Sequence, residues 1–209
     1  MVSPSVAHAL NSMLPGTHSV LIYDTPENKR DVLFSHLRTG ERNSKMVYVC
    51  SEERPEKIRQ EMSAYGMDVA GLSQKDRLSI SNYDEVYMGQ DGRVDIPGII
   101  DGFAKLAWSC QGKNLNMRAS AEMSCFFRQG KVVELVEYER ALGAKFQFPG
   151  MGMCAFNVLE MQASGALDIL MPLLRAHGVV LLTGPKGTVI MQPDRIEERH
   201  VEEAMQIRI

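Results

Sequence analysis

Two short runs near the start of the chain, HSVLIY at 18–23 and MVYVC at 46–50, alternate with helical patterns. Runs this short and this continuously apolar belong to strands buried on both faces, because a half-exposed strand would show polar residues at every second position. Between the two runs, Thr25 is placed to cap a helix, Pro26 suits its first position and Glu27 complements its dipole. Leu33, Phe34 and Leu37 mark the inward face of that helix and Gly40 ends it. After the second run, SEERP leads into a helix with Ile58, Met62 and Tyr65 on one face and Gly66 as its stop. Strand, helix, strand, helix with short links predicts an α/β fold: a mainly parallel sheet covered by helices on both faces.

The alternation continues less regularly. RLSIS at 77–81 reads as a strand, and YDEVYMGQDG at 83–92 as a loop or extended stretch. Asp95 can cap a helix whose Ile99, Ile100, Phe103, Leu106, Ala107 and Cys110 face the core. Strands are expected over 115–119 and near 153–158, and a helix over 131–142 through Val132, Leu135, Val136 and Leu142. A helix led by Ser164 carries Pro172, which implies a kink or a late start. VVLL at 179–182 and TVIM at 188–191 can pair through the GPKG turn. With 209 residues, no repeat and no linker, the chain reads as one domain over 18–192. Residues 1–17 form an N-terminal extension, and the charged tail 193–209 an exposed helix or frayed end.

Composition narrows the function. Lys+Arg 23 against Asp+Glu 26 gives a net charge of -3, without the basic excess of a direct nucleic-acid binder. No apolar run reaches the roughly 20 residues of a membrane helix, and the first residues, MVSPSVAHALNSMLPG, lack a signal core, so a cytoplasmic protein is expected. Cys50, Cys110, Cys125 and Cys154 are far apart with no C-x-x-C pair, which predicts buried thiols in place of a zinc site or disulfide framework.

The link YDTPENKRD lies between a strand and a helix, where phosphate-binding loops sit. Lys29 stands at the lysine place and Arg30 at the metal-ligand place, but Pro26, Glu27 and Asn28 replace the glycines. Without glycine the positive φ angles that wrap a phosphate are costly, and Glu27 repels a triphosphate. The segment YVCSEERPEKI resembles the strand and paired glutamates of RecA/KaiC-type ATPases, in which a carboxylate positions the attacking water; Glu52 and Glu53 match that place. The same residues also read as a helix start before Pro55. The expectation is a RecA/KaiC-like three-layer architecture with no catalytic residues, a divergent nucleotide-binding ATPase being the alternative.

A longer resemblance runs along most of the chain. His18 and Tyr23, Gly66 and Asp68, Tyr87 and Gly89, then Arg118, Glu122 and Met123, Tyr138 and Glu139, Cys154 and His177 follow the ordered residues of the MEDS family. That sensory domain is named for methanogens, methylotrophs and a dichloromethane-response regulator. The match covers about 18–182 and departs where the family's tyrosine-aspartate is Phe156-Asn157. The resemblance implies a sensory domain responding to an unidentified small molecule, with no cofactor, often joined to a DNA-binding or signalling module. With no such module expected outside the core, signalling would run through a partner chain, such as a transcription regulator, or through self-association.

In parallel sheets ligands bind beyond the carboxyl ends of the strands. Tyr23, Asp24, Lys29, Ser51, Glu52, Glu53 and Glu122 are expected there. His18, five residues before Tyr23, lies roughly 16 Å away at the opposite edge, and His177 shares that edge. Each candidate also has a structural role open to it. His177 can close a helix end, and His18 can satisfy backbone groups at a strand edge; two histidines alone make no metal site. Tyr23, Tyr87 and Tyr138 suit a core, and Arg118 either recognises an anion or pairs with Glu122 or Glu139. A third function class, an interaction scaffold without a pocket, predicts an apolar surface patch or a stable oligomer.

Overall fold

The computed structural model describes residues 2–89 and 91–209; Met1 of the N-terminal extension and Gln90 of the YDEVYMGQDG stretch lie outside the described residues. A first helix, α1 (Pro4–Asn11), precedes β1 (His18–Tyr23), in which every residue is buried. Thr25 then caps α2 (Pro26–Arg38), its hydroxyl accepting from the Asn28 N–H at 3.3 Å. The second apolar run is β2 (Ser44–Cys50), again buried throughout, followed by α3 (Pro55–Ala64), α4 (Val69–Gln74) and β3 (Leu78–Asn82). Next come α5 (Tyr83–Tyr87), the Asp95-capped α6 (Ile96–Gly112), β4 (Asn116–Glu122), α7 (Cys125–Arg128), α8 (Val132–Leu142) and β5 (Gly150–Asn157). The chain ends with α9 (Val158–Ala163), α10 (Leu170–Ala176), the hairpin β6 (Val179–Gly184) and β7 (Gly187–Met191), and α11 (Glu198–Met205).

Among the described residues, seven strands form one sheet in the order β3-β2-β4-β5-β1-β6-β7, parallel except for β7. The crossovers β1→β2 and β2→β3 run toward one edge of the sheet, and those leaving β3, β4 and β5 toward the other. Right-handed crossovers moving in opposite directions put their helices on opposite faces, which produces three layers. Successive strand residues alternate between the two cores. Val20 and Ile22 pack with Ala121, Phe156, Phe126 and Leu174 on one side, while Leu21 and Tyr23 pack with Tyr48, Leu33, Leu37 and Ile58 on the other.

Several local expectations are corrected. Residues 83–87 are helical because the Asn82 side chain accepts from the Tyr83 N–H and starts a turn. Ser164 closes α9 instead of opening a helix; the opener is Asn157, whose side chain accepts from the N–H groups of Leu159 and Glu160. Pro172 sits in the first turn of the late-starting α10, where no N–H donor is needed. Strands β4 and β5 reach beyond their expected limits, and the four-residue α7 was not foreseen.

The tail is not an exposed appendage. Val201, Ala204 and Met205 of α11 are buried, and the helix packs on β6. Its eight residues are too few to announce a face by periodicity, and a glycine on the sheet admits it: a Cβ on Gly184 would overlap the Ala204 carbonyl oxygen. Gly184→Ala is therefore expected to cost about 1–3 kcal/mol by overpacking and to loosen α11. Urea melts read the first effect, and faster proteolysis near residue 197 the second.

Candidate functional site

The parallel ladder delivers the ends of β1, β2 and β4 to one edge, and the first turn of α2 carries Lys29 over them. The Lys29 Nζ is fully buried, 2.7 Å from Glu52 Oε2 and 2.7 Å from Glu122 Oε1. Glu122 Oε1 also accepts from the Tyr48 hydroxyl at 2.6 Å, and its Oε2 from the N–H groups of Ser51 (2.7 Å) and Glu52 (2.8 Å). Tyr23 donates its hydroxyl to Glu52. Burial opposes the Lys29 charge, but Glu122 and Glu52 outweigh it and hold its pKa above the usual lysine value. Burial, reinforced by the neighbouring carboxylates, pushes the Tyr23 and Tyr48 phenols well above 10, so both remain donors.

This arrangement fills the turn between β1 and α2 from within. One cation and two carboxylates leave the trio net negative, and both oxygens that hold Lys29 belong to the protein. The residues standing where glycines would wrap a phosphate are already helical from Pro26 onward. Asp24 is drawn into the same turn, accepting from the Asn28 side-chain amide at 2.6 Å. Arg30 pairs with Glu61 at 3.1 Å and lies 3.9 Å from Glu53, whose carboxyl is raised by burial and then by Glu61. Sequence reasoning missed Arg128, which grips Glu160 (2.7 Å) and the Ser51 carbonyl (2.7 Å) beside this cluster; no local pattern announces it.

Arg118 forms neither of the ion pairs expected of it. It lies near the start of β4, buried, and donates to the Leu10 carbonyl at 3.3 Å and the His36 carbonyl at 3.4 Å. These carbonyls belong to the last turns of α1 and α2, so one guanidinium serves two helix ends. Glu122 is four residues further along the same strand, roughly 13 Å away, and Glu139 faces the opposite side of the sheet, so neither ion pair forms. Tyr87 and Tyr138 are buried edge to face, with ring centres 5.8 Å apart.

At the opposite edge His18 and His177 meet, their ring centres 4.1 Å apart, and both approach Glu139 and Cys154. Beside this cluster, between the sheet and helices α6 and α8, lies an apolar cavity of about 30 Å³. Its lining includes Tyr87, Phe103, Ala121, Tyr138, Phe146 and Cys154. Each of the four cluster residues was singled out in the sequence; their convergence was not, because they come from four distant segments.

Fold and site together define a three-layer α/β protein of RecA-like fold with a buried lysine–glutamate cluster at the carboxyl ends of its strands. The chain belongs to the MEDS family: the family model, described as the MEthanogen/methylotroph, DcmR Sensory domain, matches residues 17–177. Among solved structures, the chain is similar to the KaiC-like protein PH0186 from the hyperthermophilic archaeon Pyrococcus horikoshii OT3. The TM-score is 0.56 at 13% identity, over 85% of this chain and 79% of that one, a likeness of fold. No curated protein matches the chain.

Proposed function

We propose that this chain is a sensory domain without catalytic turnover, which binds a small, largely apolar molecule in the cavity bounded by the sheet, α6 and α8. The observation that carries the reading is the pairing of Lys29 with Glu52 and Glu122, which leaves a triphosphate no cationic seat. The cavity supports the other half. Its walls are aromatic and aliphatic, and its volume of about 30 Å³ accommodates roughly two or three heavy atoms, a water needing about 10–15 Å³ on this measure.

Helix α6 offers a route outward. Phe103 on its inner side lines the cavity, while Trp108, five residues on, is 55% exposed. A ligand that displaces Phe103 shifts a surface available to a partner chain or a second copy. Because Trp108 is the only tryptophan in the chain, its fluorescence reports that shift directly. Xenon and a panel of small alcohols are expected to raise the Tm by mass action and to perturb Trp108 emission. Both responses should vanish in Ala121→Leu, which fills the cavity. Stabilisation by Mg-ATP, or a wild-type protein indifferent to every member of the panel, would defeat the reading.

A further inference from the structure

At the amino-terminal edge of the sheet, four buried polar side chains converge on a shared point. His18 comes from the first position of β1, Cys154 from the middle of β5, Glu139 from α8, and His177 from the turn before β6. Their exposures are 0%, 5%, 1% and 0%. Both histidines present the same nitrogen to the backbone: His18 Nδ1 lies 2.7 Å from the Gly143 carbonyl, and His177 Nδ1 lies 2.7 Å from the Leu173 carbonyl. A carbonyl only accepts, so both Nδ1 atoms carry the proton and donate. A ring that donates from Nδ1 can offer the lone pair of Nε2 to an ion in the cluster.

The Nε2 atoms of His18 and His177 lie 3.3 and 3.2 Å from Glu139 Oε2, and His18 Nε2 lies 3.5 Å from Cys154 Sγ. Among the described residues, Glu139 Oε1, Glu139 Oε2 and His177 Nε2 have no hydrogen-bond partner despite complete burial. The Cys154 thiol can donate to His18 Nε2 across its 3.5 Å, but His177 Nε2 and the Glu139 oxygens face one another without a donor, and a cation among the four, with the thiol proton released, converts these contacts into bonds. A tetrahedral ion with bonds of about 2.0–2.3 Å has ligand-to-ligand edges of roughly 3.3–3.8 Å. Two of the measured edges, 3.3 and 3.5 Å, fall in that range and the third, 3.2 Å, just below it, and all four ligand atoms lie within 4.8 Å of one another.

We propose that His18, Glu139, Cys154 and His177 bind a divalent transition-metal ion of the zinc class in tetrahedral geometry. Two imidazoles, a thiolate and one carboxylate form a nitrogen- and sulfur-rich set unsuited to magnesium or calcium, which take oxygen ligands. One thiolate and one carboxylate balance a doubly charged ion, so the buried assembly is neutral. The supporting shell is in place. Gly143, with φ of 65°, terminates α8 and turns its carbonyl onto His18, and Phe146 stacks on that ring at 4.7 Å. A surface groove of about 260 Å³ between α8 and α10 has Glu139, Gly143 and Leu173 in its lining and so lies directly beside the cluster. The site joins β1, β5, α8 and the approach to β6 whether or not the neighbouring cavity holds a ligand.

The test is titration of the reduced full-length chain, after dialysis against a chelator, with cobalt(II). Saturation at one equivalent is expected, with the intense visible bands of tetrahedral cobalt and a thiolate-to-cobalt charge-transfer band, all displaced by zinc. Cys154→Ser should abolish the charge-transfer band and weaken binding at least tenfold, and Glu139→Gln should weaken binding while keeping the band. If either variant fails to fold, the wild-type spectrum and stoichiometry decide by themselves. Absence of a charge-transfer band, or unchanged binding and spectrum in folded Cys154→Ser, would overturn the assignment.

Discussion

Replacing Glu122 with alanine is expected to destabilise the domain by about 3–5 kcal/mol, the usual cost of stranding one member of a buried ion pair. For a chain of this size, that lowers the Tm by roughly 6–20 °C. The loss is large because four donors converge on this carboxylate: Lys29, the Tyr48 hydroxyl, and the N–H groups of Ser51 and Glu52. Lys29 and Glu122 are each 0% exposed, so water cannot step in for the missing partner. The damage is dominated by the stranded ammonium, and this makes the prediction sharper. Lys29→Met introduced into Glu122→Ala should recover part of the stability, giving a double mutant clearly less damaged than the sum of the two single variants. Chemical denaturation of all four proteins measures the coupling. A Glu122→Ala protein melting within 2 °C of wild type, or strict additivity across the cycle, would mean that the cluster is not the clamp described.

The contrast between this cluster and the opposite edge shows which kinds of information are local. Tyr23, Glu52 and Glu122 could be placed together from the sequence because each lies at or just past the end of an expected strand, and a parallel sheet gathers strand ends by construction. What they do there could not be read. The four-way use of Glu122 depends on two N–H groups just past β2 turning inward, which apolar spacing does not encode. Thr25 and Pro26 were legible as a helix start because capping acts over three residues; Ser164 misled because a side chain suited to opening a helix also stands comfortably at its end. Arg118 could not be interpreted without knowing that α1 and α2 finish side by side above β4. His18, Glu139, Cys154 and His177 were each visible as candidates. Only the order of β5, β1 and β6 in the sheet, and the face that α8 turns toward it, make them neighbours.

His36 gives the second large effect, and it appears on acidification. This imidazole is buried in α2, its Nδ1 3.1 Å from the Ser120 hydroxyl. Burial, and then the Arg118 guanidinium, push its pKa down to about 3. An unfolded chain takes up the proton near the ordinary value of about 6.5, while the folded one refuses it. Between these two values the unfolded state therefore binds one more proton than the native state, and stability falls with falling pH. The contribution is complete above pH 6.5, declines by about 1.4 kcal/mol per pH unit below it, and levels off near the folded pKa. By pH 4 the loss is about 3 kcal/mol from this group alone. Urea melts of wild type and His36→Gln at pH 7, 6, 5 and 4 isolate it, because every other titrating group contributes equally to both proteins and cancels in the difference. The variant should start less stable at pH 7 and close the gap as the pH drops, its acid slope shallower by nearly one proton. Parallel stability curves would show that His36 accepts its charge inside the fold, which would require Arg118 to move away from it.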